Sequence, residues 1–135
     1  MKIFLIGVFA ALSGAAPSLA DPLMVKVGVL REKYSRETLS ILDIPAADDT
    51  LAGAQLGVAD NNTTGKFTNQ AFEVIDVIAA AADNVSAAID KFNEQGVSLI
   101  IAGLSSARLL AAADRGKTHD ALIFNATATD DSLRP

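Results

Sequence analysis

An α/β domain built on a doubly wound parallel sheet is the fold class that this 135-residue sequence predicts. The first observation behind it is alternation: short apolar runs take turns with helix-length amphipathic stretches, in the order β-α-β-α-β-α-β. The second is how two of the runs end. SLIIA at 98–102 and ALIF at 121–124 stop abruptly in small hydroxyl and amide residues, GLSSA at 103–107 and NATAT at 125–129. A buried strand that opens at its carboxyl end into hydroxyls and backbone amides is how an open α/β sheet builds a ligand site. The third is the absence of cysteine, which leaves an ordinary apolar core as the source of stability.

The elements follow in order. MVKVGVL at 24–30, with Val25, Val27 and Val29, reads as a buried strand, and a charged loop opening REKYSRETLS follows it. The loop carries Pro45 and ends in Asp48, Asp49 and Thr50, candidate caps for a helix from about Leu51 to Asn61. Leu51, Gln55, Val58 and Ala59 give that helix its spacing, and Asn62 to Gly65 is expected to break it. A second strand is expected from Phe72 to Ile78. Asp83 or Asn84 can cap a second helix, whose Val85, Ala88, Ile89 and Phe92 stand at i, i+3, i+4 and i+7. Gly96 ends it as a residue just past the last turn. The third strand is 98–102, the third helix 105–115 with Gly116 after it, and the fourth strand 121–124.

The first twenty residues stand apart from this pattern. MKIFLIGVFAALSGAAPSLA has one basic residue, an apolar stretch from Ile3 to Leu12 and a small-residue region closing on Ala20, the layout of a secretory leader cut before Asp21. Its apolar stretch is too short to span a bilayer, so no stable membrane insertion is expected. Removing it leaves 115 residues, one domain at most, and moves the net charge from −5 to −6 because Lys2 leaves. An acidic chain without a basic cluster argues against a nucleic-acid partner. A four-strand parallel sheet would leave an edge unpaired, so a domain continuing past Pro135 is expected.

Candidate chemistry is sparse. The first strand lacks the G-x-G-x-x-G turn of a dinucleotide site, and no P-loop occurs. GLSSA faintly resembles a nucleophile elbow, but Ala107 replaces its second glycine and His119 comes too soon after Ser105 for that arrangement. Ser105 or Ser106 serves better as a helix cap, at a helix start able to receive an anion. NATAT can equally be a plain turn. Sequons begin at Asn61, Asn62, Asn84 and Asn125, short patterns that arise by chance. The pairs Asp48–Asp49 and Asp130–Asp131 are adjacent on loops and need not converge. No metal site, cofactor or catalytic residue follows from them. His119 is expected on the surface between the third helix and the fourth strand.

In a sheet of order 2-1-3-4, strands one and three are neighbours and a crevice opens between their carboxyl ends. The 31–50 loop walls it on one side, Gly103 to Ser106 on the other, and 125–129 closes its floor. Hydroxyls and amides without an evident base suit holding a small polar ligand more than transforming one.

With the leader, VKVGVL (25–30), GAQLGVADNN (53–62), FNEQGVSLIIAGLSSA (92–107) and FNATATDDSLR (124–134) in this order and spacing, the chain resembles the start of a type I periplasmic substrate-binding protein of ABC importers, in the branched-chain amino acid (leucine-binding) family. The REKYSRETLS and FNATATDDSLR wording is similar to a subgroup associated with pyrroloquinoline-quinone-dependent alcohol oxidation. The resemblance implies a leader at 1–20 and, at 21–135, an incomplete amino-terminal lobe of a two-lobe fold that closes on a ligand at its hinge. It implies periplasmic solute binding without catalysis, with the transporter's membrane subunits as partners. Carried over residue by residue, the ligand contacts fall on Ser105, Ser106, Ala128 and Thr129, with Tyr34 and Thr127 as further candidates. Two departures bear on an amino acid ligand: a longer charged segment with Tyr34 after strand one, and Asn125, Ala126 and Thr127 where the family has Ser-Pro-Gly. With the second lobe absent, weak or no binding by 21–135 alone is implied. A ligand sensor for a membrane receptor and a non-functional truncated fragment are the rival readings.

Overall fold

The computed structural model describes residues 21–33, 48–80 and 84–133, the Ser132 side chain excepted. The leader, Tyr34, Pro45 and Asp83 lie outside these residues. Among these residues four strands and three helices alternate: β1 Leu23–Glu32, α1 Asp49–Thr68, β2 Gln70–Ala79, α2 Asn84–Glu94, β3 Leu99–Gly103, α3 Ser106–Lys117 and β4 Leu122–Asn125, followed by a 3-10 turn at Asp131–Leu133. The strands are all parallel and ordered β2-β1-β3-β4. The α/β class and the 2-1-3-4 order expected from the sequence are what the chain adopts.

The register sorts the side chains by parity. Val27, Gly28, Val29 and Leu30 of β1 stand beside Leu99, Ile100, Ile101 and Ala102 of β3. Alternate residues face opposite sides, so Leu30, Ile100 and Ala102 point with Ile75 and Val77 toward α2 and α3. The helical stripe Val85, Ala88, Ile89 and Phe92 meets them there, with Leu109 and Ala112 of α3. Phe92 has no exposed surface. Burying a side chain of this kind contributes about 1.5–3 kcal/mol. α2 ends as the sequence implied: Gly96 has φ +71°, and its N–H donates to Asn93 O (3.0 Å) while that of Val97 donates to Phe92 O (2.9 Å). A left-handed residue at that point costs a side-chain-bearing residue more than glycine.

Two helix ends differ from the expectation. Asn62 to Gly65 does not break α1, which runs through to Thr68. Asn62 is held by the sheet instead: its side-chain NH2 donates to Phe72 O (2.9 Å) and its Oδ1 accepts the Phe72 N–H (2.8 Å). It pairs with the edge strand β2 as a neighbouring strand would. Thr63 and Thr64 satisfy their hydroxyls on carbonyls three residues back. Gly65 is buried against the Gln70 carbonyl, where an added Cβ would collide, so its glycine marks a close approach and not a stop. Asn69, with φ 53°, is the true terminator, and its N–H donates to Gly65 O. Likewise α3 runs past Gly116 to Lys117, and Gly116 is buried within the helix. β1 and β2 overrun their expected bounds by one or two residues at each end, which takes β1 to Glu32 and β2 back to Gln70, while β3 and β4 begin and end one residue later than expected.

His119 lies at the turn between α3 and β4 and is half-buried, its Nε2 2.8 Å from Asp90 Oδ1. Arg115 donates to the same oxygen at 2.6 Å. These two bonds, Arg115's first, hold the Asp90 carboxyl below the usual carboxylate range.

Candidate functional site

The crevice opens where β1, β3 and β4 deliver their carboxyl ends. Glu32 is the last residue of β1, Gly103 the last of β3 and Asn125 the last of β4. A cavity of about 380 Å³ lies there, bounded by Glu32, Leu104, Ser105 and Ser106 on one side. Thr127, Ala128, Thr129 and Asp130 bound the other. Five of the six residues singled out from the sequence therefore converge: Ser105, Ser106, Thr127, Ala128 and Thr129. Tyr34 lies outside the described residues.

Each wall has a local cause. Ser105 occupies the cap position of α3 in extended backbone, with φ −66° and ψ 158°, yet its hydroxyl makes no capping bond to the helix. The helix start is served by another group. The Ser105 N–H donates to Glu32 Oε1 at 2.7 Å, and the Ser105 hydroxyl stands 3.4 Å from Glu32 Oε2. Arg108, one turn into α3, closes on Glu32 Oε2 at 2.7 Å and also donates to the Ala79 carbonyl at 3.3 Å. A carboxylate of the protein itself sits on the positive end of α3, the place where such an end attracts anions.

The opposite wall is an Asx turn. Asn125 Oδ1 accepts the N–H groups of Thr127 (3.2 Å) and Ala128 (2.9 Å), and its NH2 donates to Ala128 O (2.7 Å). Both backbone polar groups of Ala128 are thereby engaged inside the loop. The Thr127 hydroxyl donates to Leu104 O at 3.1 Å and fastens this loop to the β3–α3 junction. The hydroxyls of Ser106 and Thr129 have no protein partner among the described residues, and both residues line the cavity. Beside the cleft, Arg31 grips both oxygens of Asp76 at 2.8 Å and ties the ends of β1 and β2. That hydrogen bond raises the Arg31 guanidinium still further above neutrality.

Glu32, Arg108 and Asp130 were not among the sequence candidates for this site. Glu32 reads as the second residue of a charged loop, because the apolar run of the first strand stops at Leu30. Extending that strand by two residues, in a 2-1-3-4 sheet, is the signal that places it opposite Ser105. Among the described residues no cluster of His, Cys, Asp and Glu is arranged to hold a metal ion.

A larger cavity, about 670 Å³, adjoins the cleft at Thr127 and runs between α1 and the sheet, lined mainly by apolar groups such as Val25, Val27, Ala54, Phe72 and Ile101. Its volume exceeds that of the cleft, but its polar groups, Asp49, Thr50, Asn61 and Thr127, are set in a mostly apolar wall, whereas the cleft is lined mostly by the polar groups that supply specificity.

No family model and no curated protein matches the chain. Solved structures do match in fold. The branched-chain amino acid transporter substrate binding protein LivJ from Streptococcus pneumoniae, solved in complex with isoleucine, superposes with a TM-score of 0.63 at 21% identity over 82% of this chain and 30% of its own. A possible leucine/isoleucine/valine-binding protein from Rhodopirellula baltica superposes with a TM-score of 0.67 at 13% identity over 88% of this chain and 31% of its own. The chain spans about a third of the length of each. Its sheet and helices are those of part of a lobe of the substrate-binding fold that the sequence resemblance indicated.

Proposed function

We propose that this chain provides one jaw of a solute clamp: an exported, non-catalytic binding component that presents a small polar ligand to the membrane subunits of an ABC importer. The observation that carries the reading is the convergence of Ser105, Ser106, Thr127, Ala128 and Thr129 on one cavity at the carboxyl ends of β1, β3 and β4. The fold likeness to substrate-binding proteins and the leader pattern at 1–20 support it. The lining groups are hydroxyls, amides and carboxylates. His119 is at the amino-terminal edge of the sheet beside Asp90, away from the cleft. Among the described residues no helix is long and apolar enough to cross a membrane.

In this reading the ligand-contacting groups are the Ser106 and Thr129 hydroxyls, with Ser105 and Ala128 shaping the walls. One jaw binds weakly, with a dissociation constant of about 1 mM or higher. A solute at ten times that constant stabilises the fold by about 1.4 kcal/mol. Such a gain raises the melting temperature by several degrees in a domain of this size. The test is a thermal-shift titration with leucine, small alcohols and aldehydes, on the chain and on a Ser106→Ala/Thr129→Ala variant. A shallow shift with at least one solute, lost in the variant, supports the reading. A shift of the same size in both proteins removes the cleft as the site.

A further inference from the structure

The cleft holds a carboxylate before any solute arrives. We propose that Glu32 sets the ligand class of the cleft: it takes a small organic amine, positively charged and without a carboxylate, and turns carboxylate-bearing solutes away. The assignment rests on the cleft being the solute site and goes on to name the chemistry of the solute.

A solute carboxylate entering beside α3 needs the Ser105 N–H, and Glu32 Oε1 already accepts it at 2.7 Å. It needs a cation, and Arg108 is spent on Glu32 Oε2 at 2.7 Å and on the Ala79 carbonyl. It also meets the charge of Glu32, which lines the same cavity. The Ala128 N–H, on the far wall, is used by Asn125. The backbone donor on each wall and the Arg108 cation are therefore engaged, and only the neutral Ser106 and Thr129 hydroxyls remain to meet an anion.

Acceptors remain. A carboxylate has about four lone-pair directions. The Ser105 N–H, the Ser105 hydroxyl at 3.4 Å and Arg108 take three of those of Glu32, which leaves one, and its side chain lines the cavity. The hydroxyls of Ser106 and Thr129 add two neutral acceptors in the same space. An ammonium group has three donors and no acceptor, which matches this set. Arg108 and the Ser105 N–H keep Glu32 fixed, so it is oriented before a cation binds.

Three relatives of one carbon skeleton test this: 3-methylbutylamine, which is leucine without its carboxylate; 4-methylpentanoate, which is leucine without its amine; and leucine itself. Amide-resolved NMR titration of the chain, following Ser105, Ser106 and Thr129, gives an affinity for each. The expected order is amine first, leucine weaker and 4-methylpentanoate weakest. Glu32→Gln keeps the size of the side chain and an acceptor for the Ser105 N–H. It should weaken the amine about tenfold, the scale of one hydrogen bond to a charged group, and strengthen 4-methylpentanoate. Should that variant fail to fold, the order in the unaltered chain decides alone. Leucine or 4-methylpentanoate binding the cleft as well as the amine overturns the assignment while leaving the cleft as the solute site. No perturbation of the cleft amides by any of the three overturns both.

Discussion

The two faces of the sheet are made of the same residue types and meet different surroundings. Toward α2 and α3, Leu30, Ile100 and Ala102 are wholly buried and Phe92 fills the gap above Gly28. One residue out of step, Val27, Leu99 and Ile101 face the other way and line open grooves. On that side Leu122 and Phe124 of β4 keep 54% and 50% of their surface exposed. α1 covers the β1–β2 half of this face, burying Ala54 and Gly65, and leaves the β3–β4 half open. Parallel sheets are ordinarily covered on both faces, which is why their strands read as continuous apolar runs. The difference teaches that an apolar run fixes a strand but not what packs on each side of it. The site lies on neither face but at the carboxyl edge, where the strands end in polar groups.

Substitutions on the two faces separate them. Phe92→Ala should cost about 3–5 kcal/mol in urea unfolding, the range for deleting a buried aromatic. Ile101→Ala on the open face should cost about 1–2 kcal/mol, because its surroundings already admit water. Equal costs would break the distinction. Asn62→Ala should cost about 1–3 kcal/mol, since it strands the N–H and C=O of Phe72 and loosens α1 from the sheet. A Leu122→Thr/Phe124→Thr pair should change stability by about 0.5 kcal/mol or less. It should also reduce self-association in sedimentation, because exposed apolar patches drive it.

The smallest effect concerns pH. The Asp90 carboxyl is held below its ordinary value by Arg115 and His119, so its contribution is present above the unfolded-state value, about 3.9. It is lost as pH falls from there through the depressed folded-state value. Asp90→Asn should flatten the stability profile in that acid window, as read from urea midpoints across pH.

Much of this was legible in the sequence. Val85, Ala88, Ile89 and Phe92 announced α2 and its buried stripe, Gly96 its end, and the strand runs announced the sheet. The long α1 was not legible, because Asn62–Thr–Thr–Gly65 carries every local signal of a break, and only a tertiary partner, the backbone of Phe72, makes it helical. At the site, the runs after β3 and β4 pointed to Ser105, Ser106, Thr127, Ala128 and Thr129. Glu32 stayed hidden, since its role depends on the alignment of two strand ends seventy residues apart in sequence. The same applies to Ala128, whose backbone groups are taken up by Asn125 through a turn that the letters NATAT leave undecided.

The central claim is that solutes are held at the polar carboxyl edge and not in the larger apolar groove. An amide-resolved titration with 3-methylbutylamine tests it most directly, because both places report in one spectrum. The account predicts saturable shifts confined to Ser105, Ser106, Thr129 and their neighbours. Shifts centred on Val25, Gly57 and Phe72, with the cleft amides unmoved, would contradict it.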